Sequence, residues 1–308
     1  MSQGACKSAM QGIENIKAAV KLLLAGVDYK HLDSNKERQE SLVSALRSHF
    51  SSYGSDAAWF ETACSQAAML AELGYKHLSY DEQLLIAQIS WLVLCMEDLC
   101  HKFPSSMERL QLSILSSEAV EQDALNKLRT TLCGVYLLWD SISANCIASS
   151  MMEYVNGCLL ELQAIPKMKL SASAQSWPDF IRGKTGAAAA FSFMIFPKNT
   201  SYDIADFIQV IPDIMIYINL GNDVLSFYKE TLANETDNYI HCRALVDGKS
   251  VDDTLSDISH DAIAAYSRVS TVLRSKSPSA YESWKTFANG YISWHLDAPR
   301  YRLKELEI

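Results

Sequence analysis

Residues 219 to 230 read NLGNDVLSFYKE, and four of them could share one chemical task. At about 100° per helical residue, Asn222, Ser226, Lys229 and Glu230 fall near 0°, 40°, −20° and 80°, on one stripe about 12 Å long. The stripe offers an amide oxygen, a hydroxyl and a carboxylate, with an ammonium beside them. On an ordinary amphipathic helix this would be a solvated face. Here the stretch continues directly from the apolar ADFIQVIPDIMIYI (205 to 218), so the polar stripe is expected where an inner helix reaches an opening. A second cluster has the same form. ISWLVLCMEDLCHKF carries an oily helix into Glu97, Asp98 and His101. Acids at a helix C-terminus oppose the macrodipole, a small cost that structure alone would avoid. Carboxylates facing Asn, Ser and Glu oxygens suit Mg²⁺, which prefers oxygen ligands and keeps substrate phosphates in its shell. No Glu is followed three residues later by His, so a ferritin-like iron site is excluded.

The elements that must hold these groups are helical. IENIKAAVKLLLAGV, AAWFETACSQAAMLAEL, DEQLLIAQISWLVLCM and the long run from Ala124 to Leu162 all repeat apolar residues at three and four. No period-two run bounded by turn residues is present, which predicts an all-α protein. Breaks fall at Gly54, Pro104, 166 to 178, 196 to 203, 233 to 239 and 247 to 250, none long enough for an interdomain linker. The expectation is one domain over 1–308, a bundle of ten to twelve helices. Helices at 84 to 96, 187 to 196 and 207 to 218 are apolar on more than one face and should lie inside it.

Composition narrows the function. The chain has 308 residues, 49 % hydrophobic and 20 % charged, as an ordinary soluble protein has. Its net charge of −9, with no basic cluster, argues against nucleic-acid binding. Eight cysteines without a CxxC pair suggest buried free thiols in a reducing compartment. The N-terminus lacks a secretory pattern, and uninterrupted apolar runs fall short of the ~18 to 20 residues of a membrane span. A cytoplasmic enzyme or binding protein is expected.

The motifs together resemble a known family. NDVLSFYKE matches the N-D-x-x-S-x-x-x-E magnesium motif of class I terpene synthases, and is most similar to the fungal trichodiene synthase-like group. WHLDAPRYRL (294 to 303) resembles that group's basic C-terminal motif. FIRGKTG places Arg182 forty residues before Asn222, followed by a small-residue break at Gly186 and Ala187. The resemblance implies a single-domain α-helical bundle with a central apolar cavity. It implies an Mg²⁺-dependent sesquiterpene synthase, with three ions and Mn²⁺ as a substitute, that ionises and cyclises farnesyl diphosphate. By the same resemblance Asn222, Ser226 and Glu230 bind one ion and Glu97 the others. Arg182, Lys229, Arg300 and Tyr301 donate to the diphosphate, Asp98 pairs with Arg300, and Trp294 lines the hydrocarbon pocket. Homodimers are a family habit.

The sequence departs from the family at Glu97-Asp98-Leu99-Cys100-His101, where Asp-Asp-x-x-Asp is usual, and at Ala298 and Pro299. Glutamate is a fair ligand for a hard ion, and imidazole a poor one. Val93, Leu94, Met215, Ile218 and Trp294 are the candidate cavity walls, and the segments 166 to 178 and 233 to 239 should border the site. Asp252 and Asp257 lie about 140° apart on a helix, so SVDDTLSD reads instead as a helix start capped by Ser250. His241, His260 and His295 lack partners at ligand spacing and read as core or surface histidines. A chain-elongating prenyltransferase is disfavoured, because Asn222 to Ser226 is not a second Asp-Asp-x-x-Asp. A noncatalytic diphosphate-binding relative is the remaining alternative.

Overall fold

The computed structural model describes residues 3–51, 53, 56–198 and 200–308, with side chains from residue 11 onward. The break expected at Gly54 lies outside the described residues. Among them are fourteen α-helices and no strand. The excess over ten to twelve has local causes. The run from Ala124 to Leu162 is cut into α6 (Asp123–Leu138) and α7 (Ser141–Leu159), because Asp140 is extended and accepts the amides of Ile142 and Ser143 as an N-cap. Two short elements, α9 (Ala188–Met194) and α10 (Ile204–Phe207), follow the breaks near 187 and 203.

Three long helices position the site. The first is α4 (Tyr80–Leu99), which starts in a Ser79–Glu82 capping box and buries residues on every face. The second is α11 (Ile211–Ala233), started by Pro212 and ended by Asn234 in the left-handed region. The third is α14 (Pro278–Asp297), capped by Ser277, which packs on both α11 and α3 (Ala57–Gly74). Gly290 makes that last packing possible. A Cβ there would run into the Leu73 carbonyl, so α14 and α3 meet backbone to backbone. Trp284, Phe287 and Tyr291 on α14 join Tyr75 and Tyr217 in a continuous aromatic core.

Against the expectation from uninterrupted apolar runs, Tyr80–Lys102 and Ile204–Ala233 each contain an 18-residue window long and apolar enough to cross a membrane. About 61 % and 50 % of those windows is buried inside the protein, as in core helices. Seven cysteines are free among the described residues; Cys64, Cys95 and Cys158 are buried, but Cys133 is exposed, against the expectation of burial.

Candidate active site

A cavity of about 630 Å³ opens between α4, α7, α11 and α14. Its inner wall is apolar and aromatic: Leu70, Leu94, Phe191, Ile218, Tyr291 and Trp294. Of the walls expected from sequence, Val93, Leu94, Ile218 and Trp294 line it. Met215 does not; it packs against the core, one helical turn before Ile218. Trp294 is pinned by its indole N–H donating to the Gln66 carbonyl at 3.1 Å, and Tyr291 by its hydroxyl donating to the Ile218 carbonyl at 3.0 Å. Polar atoms of the wall are thereby turned away from the apolar space.

The mouth of the cavity is charged. Glu97, Arg182, Asn222, Lys229, Glu230 and Tyr301 all line it, joined by Glu161, Glu235 and Asp237. The two segments expected at the border are there, through Pro166, Met168, Leu170 and Trp177 on one side and Glu235 to Tyr239 on the other. Ser226 is buried behind the lining, and its Oγ donates to Glu230 Oε1 at 2.5 Å. Glu230 Oε2 accepts from Asn238, which also caps α12 (Tyr239–Asp247). The loop 233 to 239 is thus tied to the carboxylate of the stripe.

Arg182 arrives from α8 (Trp177–Thr185). Its Nε meets Asp223 at 2.9 Å, and its Nη2 donates to the Asn219 carbonyl and to Asn222 Oδ1, both at 3.0 Å. Burial opposes the Arg182 charge, but Asp223 outweighs it and holds the guanidinium above its usual range. Burial lifts Asp223 to about 6 against the pull of Arg182, which leaves it ionised at neutral pH. The helix ends at Gly186, where a Cβ would strike Asn219 Oδ1 and approach Arg182, and Ala187 follows at φ 47°. After that break α9 packs on α7 and α11.

Asn222 has a second partner. Its Nδ2 donates to His295 Nε2 at 3.1 Å, while His295 Nδ1 faces the Tyr291 carbonyl at 2.8 Å. Burial pushes His295 down to about 3, so the ring is neutral. It is a satisfied core histidine, as expected, but one joined to the stripe. His241 contacts Asn238, and His260 contacts the Ser256 carbonyl on an exposed helix face.

On the opposite rim, Arg300 lies in the turn Pro299–Tyr301 and meets Asp98 at 2.8 and 2.9 Å and Glu97 at 2.7 Å. Burial works against its charge, and the two carboxylates overcome this and raise it further. Asp98 also accepts from the Trp59 indole at 2.9 Å. Asp98 and Arg300 stand outside the cavity lining, and His101 is exposed in the turn after α4. Tyr301 packs its ring on Trp294 and His295. SVDDTLSD starts α13 (Val251–Lys276) with Ser250 accepting the Asp253 amide, while Asp252 and Asp257 pair with Asn15 and Lys249.

Sequence reasoning missed Trp59, Glu161, Asp223 and Asn238, and the part His295 plays. Asp223 and His295 sat inside the quoted motifs: Asp223 falls near 100°, beside Glu230 at the edge of the stripe, whereas His295 lies on α14, whose packing against α11 no local pattern sets. Glu161 occupies a π-helical turn, Leu160–Ala164, that no local pattern announces. Burial, then Glu97, lifts its carboxyl to about 7, though more than a third of its surface is open and solvent tempers the shift.

The oxygens of Asn222, Ser226 and Glu230 suit a hard divalent ion, since two of them already converge. Among the described residues no three His, Cys, Asp or Glu side chains gather as a metal-holding group, and this set contributes one carboxylate beside an amide and a hydroxyl oxygen. Oxygen donors of this kind exclude a soft-metal site and fit Mg²⁺ or Mn²⁺.

Comparison with known proteins agrees with this architecture. Residues 93–307 match the family model described as Trichodiene synthase (TRI5). Terpene synthase BipA of Cochliobolus sativus is 35 % identical over 231 residues, covering 74 % of this chain and 71 % of the relative. Monoterpene synthase 25 of Postia placenta is 32 % identical over 245 residues, 77 % and 71 % of the two chains. The fold matches that of a Linalool/Nerolidol synthase from Streptomyces clavuligerus with a TM-score of 0.65 at 10 % identity, over 88 % of this chain and 97 % of that one. The chain belongs to the trichodiene synthase family, the fungal class I terpene synthases, and is a lyase acting on a prenyl diphosphate.

Proposed function

We propose that this enzyme is a magnesium-dependent sesquiterpene synthase that ionises farnesyl diphosphate and cyclises the resulting cation, working as a single domain in the cytoplasm. One observation carries the reading. A single cavity joins an apolar aromatic chamber to a mouth that holds both oxygen donors and cationic side chains.

The roles follow from that polarity. Ionisation breaks the bond between the allylic carbon and the diphosphate oxygen, and the electron pair leaves with the diphosphate. Arg182, Lys229 and Tyr301, which line the mouth, and Arg300 on its rim are assigned as hydrogen-bond donors to it. Asn222, Ser226, Glu230 and Glu97 are assigned as holders of the Mg²⁺ ions, three by family habit, with Mn²⁺ a substitute. Bound there, such ions would stabilise the negative charge that develops on the leaving diphosphate. Asp98 holds Arg300 against the rim. The allylic cation is left facing Trp294, Tyr291 and Phe191, whose ring faces each steady a cationic carbon by about 0.5–2 kcal/mol. The loops at 166 to 178 and 233 to 239, which border the mouth, are assigned the exclusion of water when substrate is bound.

Diphosphate release from farnesyl diphosphate tests the assignment. It should require Mg²⁺ or Mn²⁺, stop with EDTA, and fall at least about a hundredfold in Glu230→Gln. Release indifferent to EDTA would overturn the metal assignment. A homodimer is also proposed, on family habit, and sedimentation would test it.

A further inference from the structure

His295 is wholly buried and does not itself line the cavity, yet both its ring nitrogens are committed. Nδ1 faces the Tyr291 carbonyl at 2.8 Å, which can only accept, so Nδ1 carries the hydrogen. Nε2 is therefore a bare acceptor, and the group it accepts from is Asn222 Nδ2, at 3.1 Å. The other end of the same carboxamide, Oδ1, accepts from Arg182 Nη2 at 3.0 Å. The amide is thus clamped by its nitrogen on one side and its oxygen on the other, the oxygen held against Arg182, which lines the cavity.

The ring that does the clamping cannot swing. Tyr291 and Trp294 meet it edge to face at centroid distances of 4.5 and 4.6 Å, and Tyr301 lies against it at 4.4 Å. One imidazole therefore links the stripe on α11 to the basic tail motif. Burying an unpaired imidazole would cost about 1–3 kcal/mol, so its two hydrogen bonds explain why it is tolerated in the core. They do not by themselves explain why a polar ring stands behind Asn222 where Phe or Leu would pack.

We infer that His295 is a positioning residue that fixes the carboxamide of Asn222 with its oxygen toward the mouth, and so sets the affinity of the site for divalent ions with diphosphate. Ligand side chains are commonly oriented by such outer partners, and losing one lowers metal affinity by about 10–100-fold. The inference rests on the proposed role of Asn222 as a metal ligand.

The test is calorimetric titration of Mg²⁺ into the full-length protein with inorganic diphosphate present, so that no turnover is needed. His295→Phe keeps an aromatic ring but offers no acceptor, and should weaken binding about 10–100-fold. His295→Gln places an acceptor near Nε2 and should stay within a few-fold of the unaltered protein. Folded His295→Phe with unchanged affinity, beside a Glu230→Gln control that loses it, would overturn the inference alone. Unchanged affinity in Glu230→Gln would overturn the metal-site reading beneath it. If His295→Phe does not fold, His295→Met against His295→Gln asks the same question. Weaker binding only in Met supports the inference, and equal binding in both overturns it.

Discussion

Arg300 grips Asp98 through both carboxylate oxygens, at 2.9 Å from Nη1 and 2.8 Å from Nη2, across 202 residues of sequence. The same Nη2 reaches Glu97, and Trp59 donates to Asp98 from the other side. The C-terminal turn is thereby fastened to the end of α4 at the cavity rim. Both partners of the pair are less than a quarter exposed, so the interaction is only partly screened.

Asp98→Asn should therefore destabilise the protein by about 1.5–3 kcal/mol, the usual worth of hydrogen bonds to a charged group. Trp59→Phe removes one hydrogen bond to the same carboxylate and should cost about 1.5 kcal/mol, the lower end of that range. Denaturant unfolding would read both, and a larger loss in Trp59→Phe than in Asp98→Asn would contradict the arrangement.

Gly186 and Ala187 should respond in opposite ways. Gly186→Ala drives a methyl against Asn219 and toward Arg182, so diphosphate binding should weaken and stability fall. Ala187→Gly relieves a left-handed residue at φ 47° and should be neutral or stabilising by up to about 1 kcal/mol. Thermal unfolding of the two variants, with diphosphate affinity for the first, would check this.

Acid should weaken the fold through buried neutral histidines. Burial pushes His77 down to about 4, against an ordinary 6.5, while its ring meets the Ile195 carbonyl. The unfolded chain binds the proton first, so stability is fully present above pH 6.5 and is lost as pH falls toward 4. His77 contributes up to about 3 kcal/mol of that loss. His295, pushed down further, adds loss of the same sign. Unfolding free energies between pH 7.5 and 4.5 should show a shallower decline in His77→Gln than in the unaltered protein.

What the sequence disclosed follows from the range of its patterns. The stripe of Asn222, Ser226, Lys229 and Glu230 was legible because helical periodicity alone sets their angles, and the inner character of α4 and α11 because their apolar residues cover every face. Arg182, Arg300 and Tyr301 were legible only through resemblance, since nothing local announces which distant cation a fold will bring to a mouth. Trp59 meets Asp98 across 39 residues and Trp294 meets Gln66 across 228, contacts that no spacing encodes. The break at Asp140 was readable as an N-cap, but the apolar period continues through it with little change. His295 looked bland because burial and satisfied hydrogen bonds are what a core histidine requires; its link to Asn222 appears only when α14 is laid on α11.

The account turns on whether the cavity cyclises a fifteen-carbon cation. The most direct measurement is incubation of the purified protein with farnesyl diphosphate and Mg²⁺ under a solvent overlay, followed by analysis of the hydrocarbons, beside Glu230→Gln and an EDTA blank. The account predicts a cyclic C15 product that is absent from both controls. No product from geranyl, farnesyl or geranylgeranyl diphosphate, with either Mg²⁺ or Mn²⁺, would contradict it.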